Sequence, residues 1–284
     1  MPRRRPDQPA STDDLLSRLG RLTSQARQGV ELQRARVELA EVLQREMLPG
    51  KLPELPGLRV AARYTPARDG LDIGGDWYDC FALPDGSLGF TIGDVQGHDV
   101  EAAAFMGQIR IGLRAVASTA PDADPGEVLG RANDLLQSGA DDLFATCSFY
   151  RFDPVRRVLE SARAGHIATV WATVDGRYGT DEDEGGLPLG IQPGETYPVT
   201  RRELTTPGAV VLLTDGVVEG PSFPLEEGIE RVARVVASLP GGDPDELASE
   251  VMTVAEHTGH SDDAAVLVLR HDLGPREGPH PAGA

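Results

Sequence analysis

Two periodicities divide the chain. From Thr12 to Met47 apolar residues return every three or four positions, first as Leu15, Leu19, Leu22 and Ala26. After a phase shift near Gly29 they resume as Leu32, Ala35, Leu39 and Val42. That spacing predicts one long helix with a coiled-coil type of seam, opened by the cap chemistry of Ser11-Thr12-Asp13. The run LPGKLPELPG (48–57) stops it, because proline removes a backbone donor and disfavours helix just before itself. From Leu58 the period becomes that of strands, with short β segments at 58–66, 76–84 and 87–95 and a hairpin turn at Pro84-Asp85-Gly86. Helices follow over 99–118 and 124–137, the second with Asp124 as cap and Pro125 in its first turn. Strand patterns return at 144–153, 157–165, 168–176 and 208–216. Helices over 225–239 and 244–258 and a closing strand over 261–270 complete the series.

This order predicts an α+β fold, an antiparallel β-sandwich flanked by α-helices on both faces and preceded by a long N-terminal helix. The boundaries read as a disordered tail (1–10), the helix as a dimerisation element (11–48), a Pro/Gly linker (49–57), the main domain (58–271) and a second disordered tail (272–284). The helix seam has nothing to pack on within so short a tail. It needs either the main domain or a second copy of the chain.

Composition narrows the function classes. A 284-residue chain with 40% hydrophobic residues can bury a substantial core. Its formal net charge of −18 argues against nucleic acid or an anionic membrane as partner, since both need a basic field. The basic tip PRRRP (2–6) is too short to change that. Cys80 and Cys147 lack metal-type spacing and read as free thiols of a reducing compartment. No apolar run reaches the roughly 18 residues a membrane span needs, and no signal-peptide core follows the first basic residues, so the expected location is cytoplasmic. The acidic run DEDEGG (181–186) reads as a solvated turn rather than a metal site.

Four acidic positions carry candidate chemistry. Asp76 follows Gly74-Gly75, Asp94 ends FTIGD, Asp215 ends VVLLTDG, and Asp262-Asp263 opens the last strand. Aspartate where an apolar strand meets a turn projects a carboxylate from a sheet edge, and glycine beside it lets backbone approach a ligand closely. Taken singly, each is an ordinary turn. If the edges converge, the carboxylates repel unless a cation compensates them. With no His or Cys cluster alongside, all-oxygen ligation favours Mg²⁺ or Mn²⁺ over Zn²⁺.

The segments GGDWYD, GDVQGH, LLTDG and SDDAAVLVL, in this order, resemble the metal-binding motifs of the metal-dependent protein phosphatases (protein phosphatase 2C-like), specifically the bacterial SpoIIE/RsbU type. The segments at 39–67, 144–154, 163–166 and 186–191 extend the resemblance over about residues 39–270. It implies a phosphoserine/phosphothreonine phosphatase using two Mn²⁺ or Mg²⁺ ions, in which a water held between the ions attacks phosphorus without a phospho-enzyme. It implies Asp76 and Asp94 as metal ligands, Asp94 bridging both ions with the Val95 carbonyl nearby. Asp215 and Asp262 complete the first ion's shell, and Asp263 is the neighbour that could take the place of Asp262. The implied substrate is a phosphorylated regulator, such as an anti-anti-sigma factor of the STAS type.

Two departures stand out. The family's Gly-His-Gly turn is Gly97-His98-Asp99 here, and the prolines that commonly follow the AGH turn are Ile167-Ala168. Asp99 favours the alternative reading, a weakly active or inactive regulatory binding module with the same fold; the complete acid set favours the enzyme. Among weaker candidates, His98 reads as a turn stabiliser before a proton donor, and His166 as a structural hydrogen-bonder. Arg63 and Arg68 read as strand-edge arginines before phosphate clamps. Trp77 and Tyr78 read as packing support, and Cys147 as core.

Overall fold

The computed structural model of the chain describes residues 12–66, 74–97, 100–137, 143–181, 183–221, 223–259 and 262–273. Helix α1 (Thr12–Met47) ends where the proline-rich run begins. Ten strands and five further helices follow: β1 (Leu58–Thr65), β2 (Trp77–Ala82), β3 (Leu88–Val95), α2 (Val100–Thr119), α3 (Pro125–Leu136), β4 (Ala145–Asp153), β5 (Val158–Ala164), β6 (Val170–Thr173), β7 (Tyr178–Thr180), β8 (Val199–Glu203), β9 (Gly208–Leu213), α4 (Asp215–Val218), α5 (Leu225–Ser238), α6 (Pro244–Thr258) and β10 (Ala264–His271). The strands form two five-stranded antiparallel sheets, ordered β1-β10-β9-β6-β7 and β2-β3-β4-β5-β8. This is the helix-flanked antiparallel sandwich that the order of patterns predicts.

Three apolar layers hold it. Between the sheets lie Phe90, Ile92, Phe152, Leu212 and Leu267. The outer face of the second sheet packs Trp77, Phe149 and Cys147 against Met106, Ile109 and Leu113 of α2 and Leu129 of α3. The outer face of the first packs Val211, Val266 and Val268 against α5 and α6. Strands buried on both faces explain why β9 and β10 read as unbroken apolar runs rather than alternating ones. Helix α3 starts on the expected cap, Asp124, and the structure extends it to a capping box: its side chain accepts from Glu127 N–H, and Glu127 reaches back to the Asp124 N–H. A carboxylate with no exposure, Asp79 on β2, takes Arg110 at 3.1 Å and Arg114 at 2.6 Å from α2 and so fixes that helix to the sheet.

Several expectations change. Strands β7 and β8 and the single-turn α4 carry no periodic signal long enough to be read from sequence. The acidic run is only partly solvated: Glu184 is exposed, but Asp181 pairs with Arg202 and Asp183 with Arg163, all four half-buried. The second tail begins later than residue 272, because the Asp272 N–H donates to the Gly57 carbonyl and Leu273 packs on the inter-sheet core. The expected tail 1–10 and residues 274–284 of the second tail lie outside the described residues, as do Ser11, His98, Asp99 and Arg68.

Candidate metal centre

The site lies where both sheets end on the same side. Asp76 stands one residue before β2 and Asp94 is the penultimate residue of β3. Asp215 opens α4 after a single residue, Thr214, beyond the end of β9, and Asp262 and Asp263 precede β10. Antiparallel pairing brings the start of β2 to the end of β3, Trp77 facing Gly93. It likewise brings the end of β9 to the start of β10, Leu213 facing Val266. The outcome is that Asp76, Asp94 and Asp215 each offer a carboxylate oxygen within 4.8 Å of the others. Asp262, exposed, lines with Asp215, Gly216, Glu219, Gly220 and Pro221 an open cavity of about 330 Å³.

Glycine makes this convergence sterically possible. A Cβ on Gly75 would lie 2.4 Å from the Val95 carbonyl oxygen and 3.0 Å from Asp94 Oδ1. A Cβ on Gly74 would lie 1.3 Å from Asp263 Oδ2, and one on Gly216 1.9 Å from the Asp263 carbonyl oxygen. The backbone before β2 is therefore pressed against β3 on one side and the β10 entry on the other. Gly75→Ala is expected to push the Val95 carbonyl and Asp94 out of register. We expect it to weaken Mn²⁺ binding about tenfold or more, in the range of changes made just behind a metal ligand; a calorimetric Mn²⁺ titration of the folded variant checks this.

Burial sets the electrostatics. Asp76 is almost fully buried, and its carboxyl is held well above the usual carboxylate range, first by desolvation and then by the charges of Asp94, Asp263 and Asp215. Asp94 is pushed up to about 8 by burial and then by Asp215 and Asp262; a hydrogen bond with Asp76 opposes the shift. Asp215 is raised by burial and by Asp262. Acids this close hold protons or a cation, and an all-oxygen donor set with no His or Cys in the described cluster has the chemistry of a Mg²⁺ or Mn²⁺ site.

Two residues outside the sequence reading shape the cluster. The Thr214 hydroxyl, fully buried, donates to Asp76 Oδ2 at 2.7 Å and accepts from Ala265 N–H at 2.9 Å. Tyr64, at the end of β1, hydrogen-bonds Asp263, and burial followed by the Asp263 and Asp76 charges raises its phenol strongly. Thr214 was visible in LLTDG only as a neighbour of Asp215. Tyr64 carried no signal, because its role depends on β1 pairing with β10. Asp263 is 1% exposed and packed against the Gly74 backbone, its charge raising Asp76; like Asp262 it adjoins the three-carboxylate group.

The weaker candidates separate. Arg63 pairs with Asp245 at 2.8 Å and hydrogen-bonds Ser249, away from the carboxylates. Trp77 is fully buried with its ring edge over Gly93, so it supports the site by packing. Cys147 is core, its thiol 3.4 Å from Thr91 Oγ1. His166 is buried and hydrogen-bonded, as expected of a structural group.

Comparison with known proteins decides the family. Residues 84–272 match the family described as stage II sporulation protein E (SpoIIE). The chain belongs to the SpoIIE family. Among solved structures, the RsbU and RsbW domains of a Mycobacterium tuberculosis protein are 31% identical, with a TM-score of 0.72 over 81% of this chain and 64% of that one. The SiaA-PP2C domain of Pseudomonas aeruginosa (23% identical, TM-score 0.66, 88% of this chain and 99% of that one) shares the fold. So does the PP2C phosphatase domain of Bacillus subtilis SpoIIE, with part of its regulatory domain (21%, TM-score 0.64, 78% and 64%). Protein IcfG of Synechocystis is 27% identical over 218 residues, 66% of this chain and 33% of that protein. The chain thus spans about a third of the length of this curated relative. Its fold is that of the PP2C-type phosphatases. Among the described residues no helix is long and apolar enough to cross a membrane.

Proposed function

We propose that this SpoIIE-family chain is a Mn²⁺- or Mg²⁺-dependent phosphatase that removes phosphate from serine or threonine of a regulatory protein, such as an anti-anti-sigma factor of the STAS type. One observation carries the reading: Asp76, Asp94 and Asp215, from ends of both sheets, bring their carboxylate oxygens within 4.8 Å of each other. Asp76, Asp94, Asp215, Asp262 and the Val95 carbonyl are the residues that would hold two ions, with Asp94 shared between them. Bound ions supply a water of lowered pKa and positive charge against the phosphoryl oxygens. The protein's own groups do the rest. Thr214 fixes which Asp76 oxygen faces the cluster, Gly75 lets the Val95 carbonyl reach it, and the cavity beside Asp215 and Asp262 admits a phosphate ester from solvent. Asp263, packed against the Gly74 backbone, is the neighbour that could take the place of Asp262 as a ligand. A relative of the same fold, RsbX, is known in complex with magnesium (14% identical, TM-score 0.58), which is consistent with this donor set.

The test is phosphate release from a phosphoserine STAS-domain protein by EDTA-treated enzyme. Mn²⁺ is expected to restore turnover and Ca²⁺ to fail, because its larger, more flexible shell suits the site poorly. Mn²⁺ binding without turnover on several phosphoproteins would favour the binding-module reading instead.

The proposal includes a cytoplasmic setting and self-association through α1. Leu19, Leu22 and Val30, which share a face of this helix, and Leu32 beyond the phase shift are all more than half exposed, apolar side chains that a second copy can cover. Among the described side chains of α1, Met47 at its end docks, joining the core beneath α2 close to Gly107. Sedimentation velocity is expected to give a dimer for the full chain and a monomer for a chain beginning at Glu46. Monomers in both would end the idea.

A further inference from the structure

The AGH turn ends on an imidazole that the chemistry above does not use, and its two ring nitrogens reach different sheets. His166 is 3% exposed. Its Nδ1 lies 2.8 Å from the Thr146 hydroxyl, and its Nε2 lies 3.1 Å from the Leu213 carbonyl oxygen. A carbonyl only accepts, so Nε2 carries the hydrogen and Nδ1 accepts from Thr146. Burial, the first cause, holds the imidazole down at about 4, in keeping with a neutral ring.

The two partners are not arbitrary positions. Thr146, on β4, stands directly opposite Asp94 in the β3–β4 register. Leu213 is the last residue of β9, followed by Thr214, which holds Asp76, and by Asp215. The turn that presents the ring is itself locked. Arg163 donates to the His166 carbonyl at 2.7 Å, and Gly165 takes φ +66° over Pro188, whose Cγ a Cβ would approach to 2.6 Å. A rigid turn thus spans the gap between the strand behind Asp94 and the strand that leads to Asp215.

We infer that His166 is a positioning residue for the metal centre: by bridging Thr146 and the Leu213 carbonyl, it sets the spacing between the Asp94 side and the Asp215 side of the carboxylate cluster. This rests on the metal-centre reading. Within that reading it gives a role to a residue that touches neither ion nor substrate. The pair of bonds acts as a spacer because each end is anchored within a sheet, so losing either end loosens the spacing and leaves the Thr214–Asp76 hydrogen bond to hold the two sheet ends together. Residues that hold ligands from behind alter metal affinity by about 10- to 100-fold when changed, and a bridge one step further back is expected at the lower end, near tenfold.

The experiment measures Mn²⁺ affinity of the EDTA-stripped full chain by electron paramagnetic resonance of free Mn²⁺, without substrate, well below each variant's melting temperature. His166→Ala is expected to weaken binding about tenfold. Thr146→Val, which removes one bond and keeps the shape, is expected to weaken it less, and His166→Gln, which can still donate to the Leu213 carbonyl, to recover part of the loss. Leu269→Ala, in the inter-sheet core at the far end of β10, serves as a control for simple destabilisation and is expected to leave Mn²⁺ affinity unchanged. If His166→Ala does not fold, Thr146→Val decides alone. Wild-type affinity in the folded His166 and Thr146 variants overturns the inference, as does an equal loss in Leu269→Ala. A wild-type chain that binds no Mn²⁺ overturns the metal-centre reading and this inference with it.

Discussion

Asp94→Asn is expected to reduce turnover by about 10³-fold or more, equivalent to about 4 kcal/mol of transition-state stabilisation. Asp94 lies between Asp76, with which it shares a hydrogen bond, and Asp215, whose charge is the largest on it after burial. Neutralising it removes charge from the centre of the donor set, whereas Asp215→Asn and Asp262→Asn each remove it from one side. Both are therefore expected to lose less activity and to regain part of it at high Mn²⁺, which Asp94→Asn does not. Steady-state kinetics of the three variants across a Mn²⁺ series, on one phosphoserine protein, check the ranking. Asp94→Asn with wild-type kcat would remove the shared-ligand role.

The second large effect is on the stability of the metal-free protein. An aspartate whose folded pKa lies above its unfolded value of about 4 binds its proton more tightly in the folded state. Its contribution is then fully present below the unfolded value and is lost as pH rises through the folded one. Asp94 at about 8, with Asp76 and Asp215 shifted the same way, places this loss between about pH 4 and pH 8. EDTA-treated protein is expected to melt at steadily lower temperature from pH 5 to pH 8. Asp94→Asn flattens that slope and melts at or above the wild type near pH 8. Mn²⁺ at a hundred times its Kd is expected to add about 2.7 kcal/mol; at a fixed Mn²⁺ concentration the effect grows toward pH 8, because Kd falls as the carboxylates lose the protons the ion must displace. Calorimetry across this pH range, with and without Mn²⁺, reads both. A metal-free wild type whose melting temperature rises with pH would contradict the crowded-carboxylate description.

Much of this was legible in the chain because the periodicities are long. The 36-residue α1 and the buried β10 announce themselves, and α6 runs over the predicted residues because Asp243-Pro244 and Gly259 mark its ends. Strands β7 and β8 were hidden: three and five residues, on sheet edges and partly exposed, hold too few apolar positions to set a period. The acidic run was partly misread because charge was visible, while Arg163 and Arg202, the partners that draw it in, lie on β5 and β8. At the site, the carboxylates could be named from their motifs. That Asp76, Asp94 and Asp215 meet depends on the register of strands from two sheets, and that Asp263 turns inward depends on Gly74 having no side chain. Thr214, Tyr64 and the His166 bridge are visible only once the sheets are stacked. Asp99, the sequence argument for a binding module, lies with His98 outside the described residues.

We propose that these carboxylates hold divalent ions. The most direct test is a crystal of the chain grown in EDTA and soaked in MnCl₂, with data collected at the manganese edge. Anomalous peaks are expected within coordinating distance of Asp94, one of them shared with Asp76 or Asp215, and absent from Asp94→Asn crystals treated in the same way. A map at saturating Mn²⁺ with no peak among Asp76, Asp94 and Asp215, or with the same peaks in Asp94→Asn, would contradict the account.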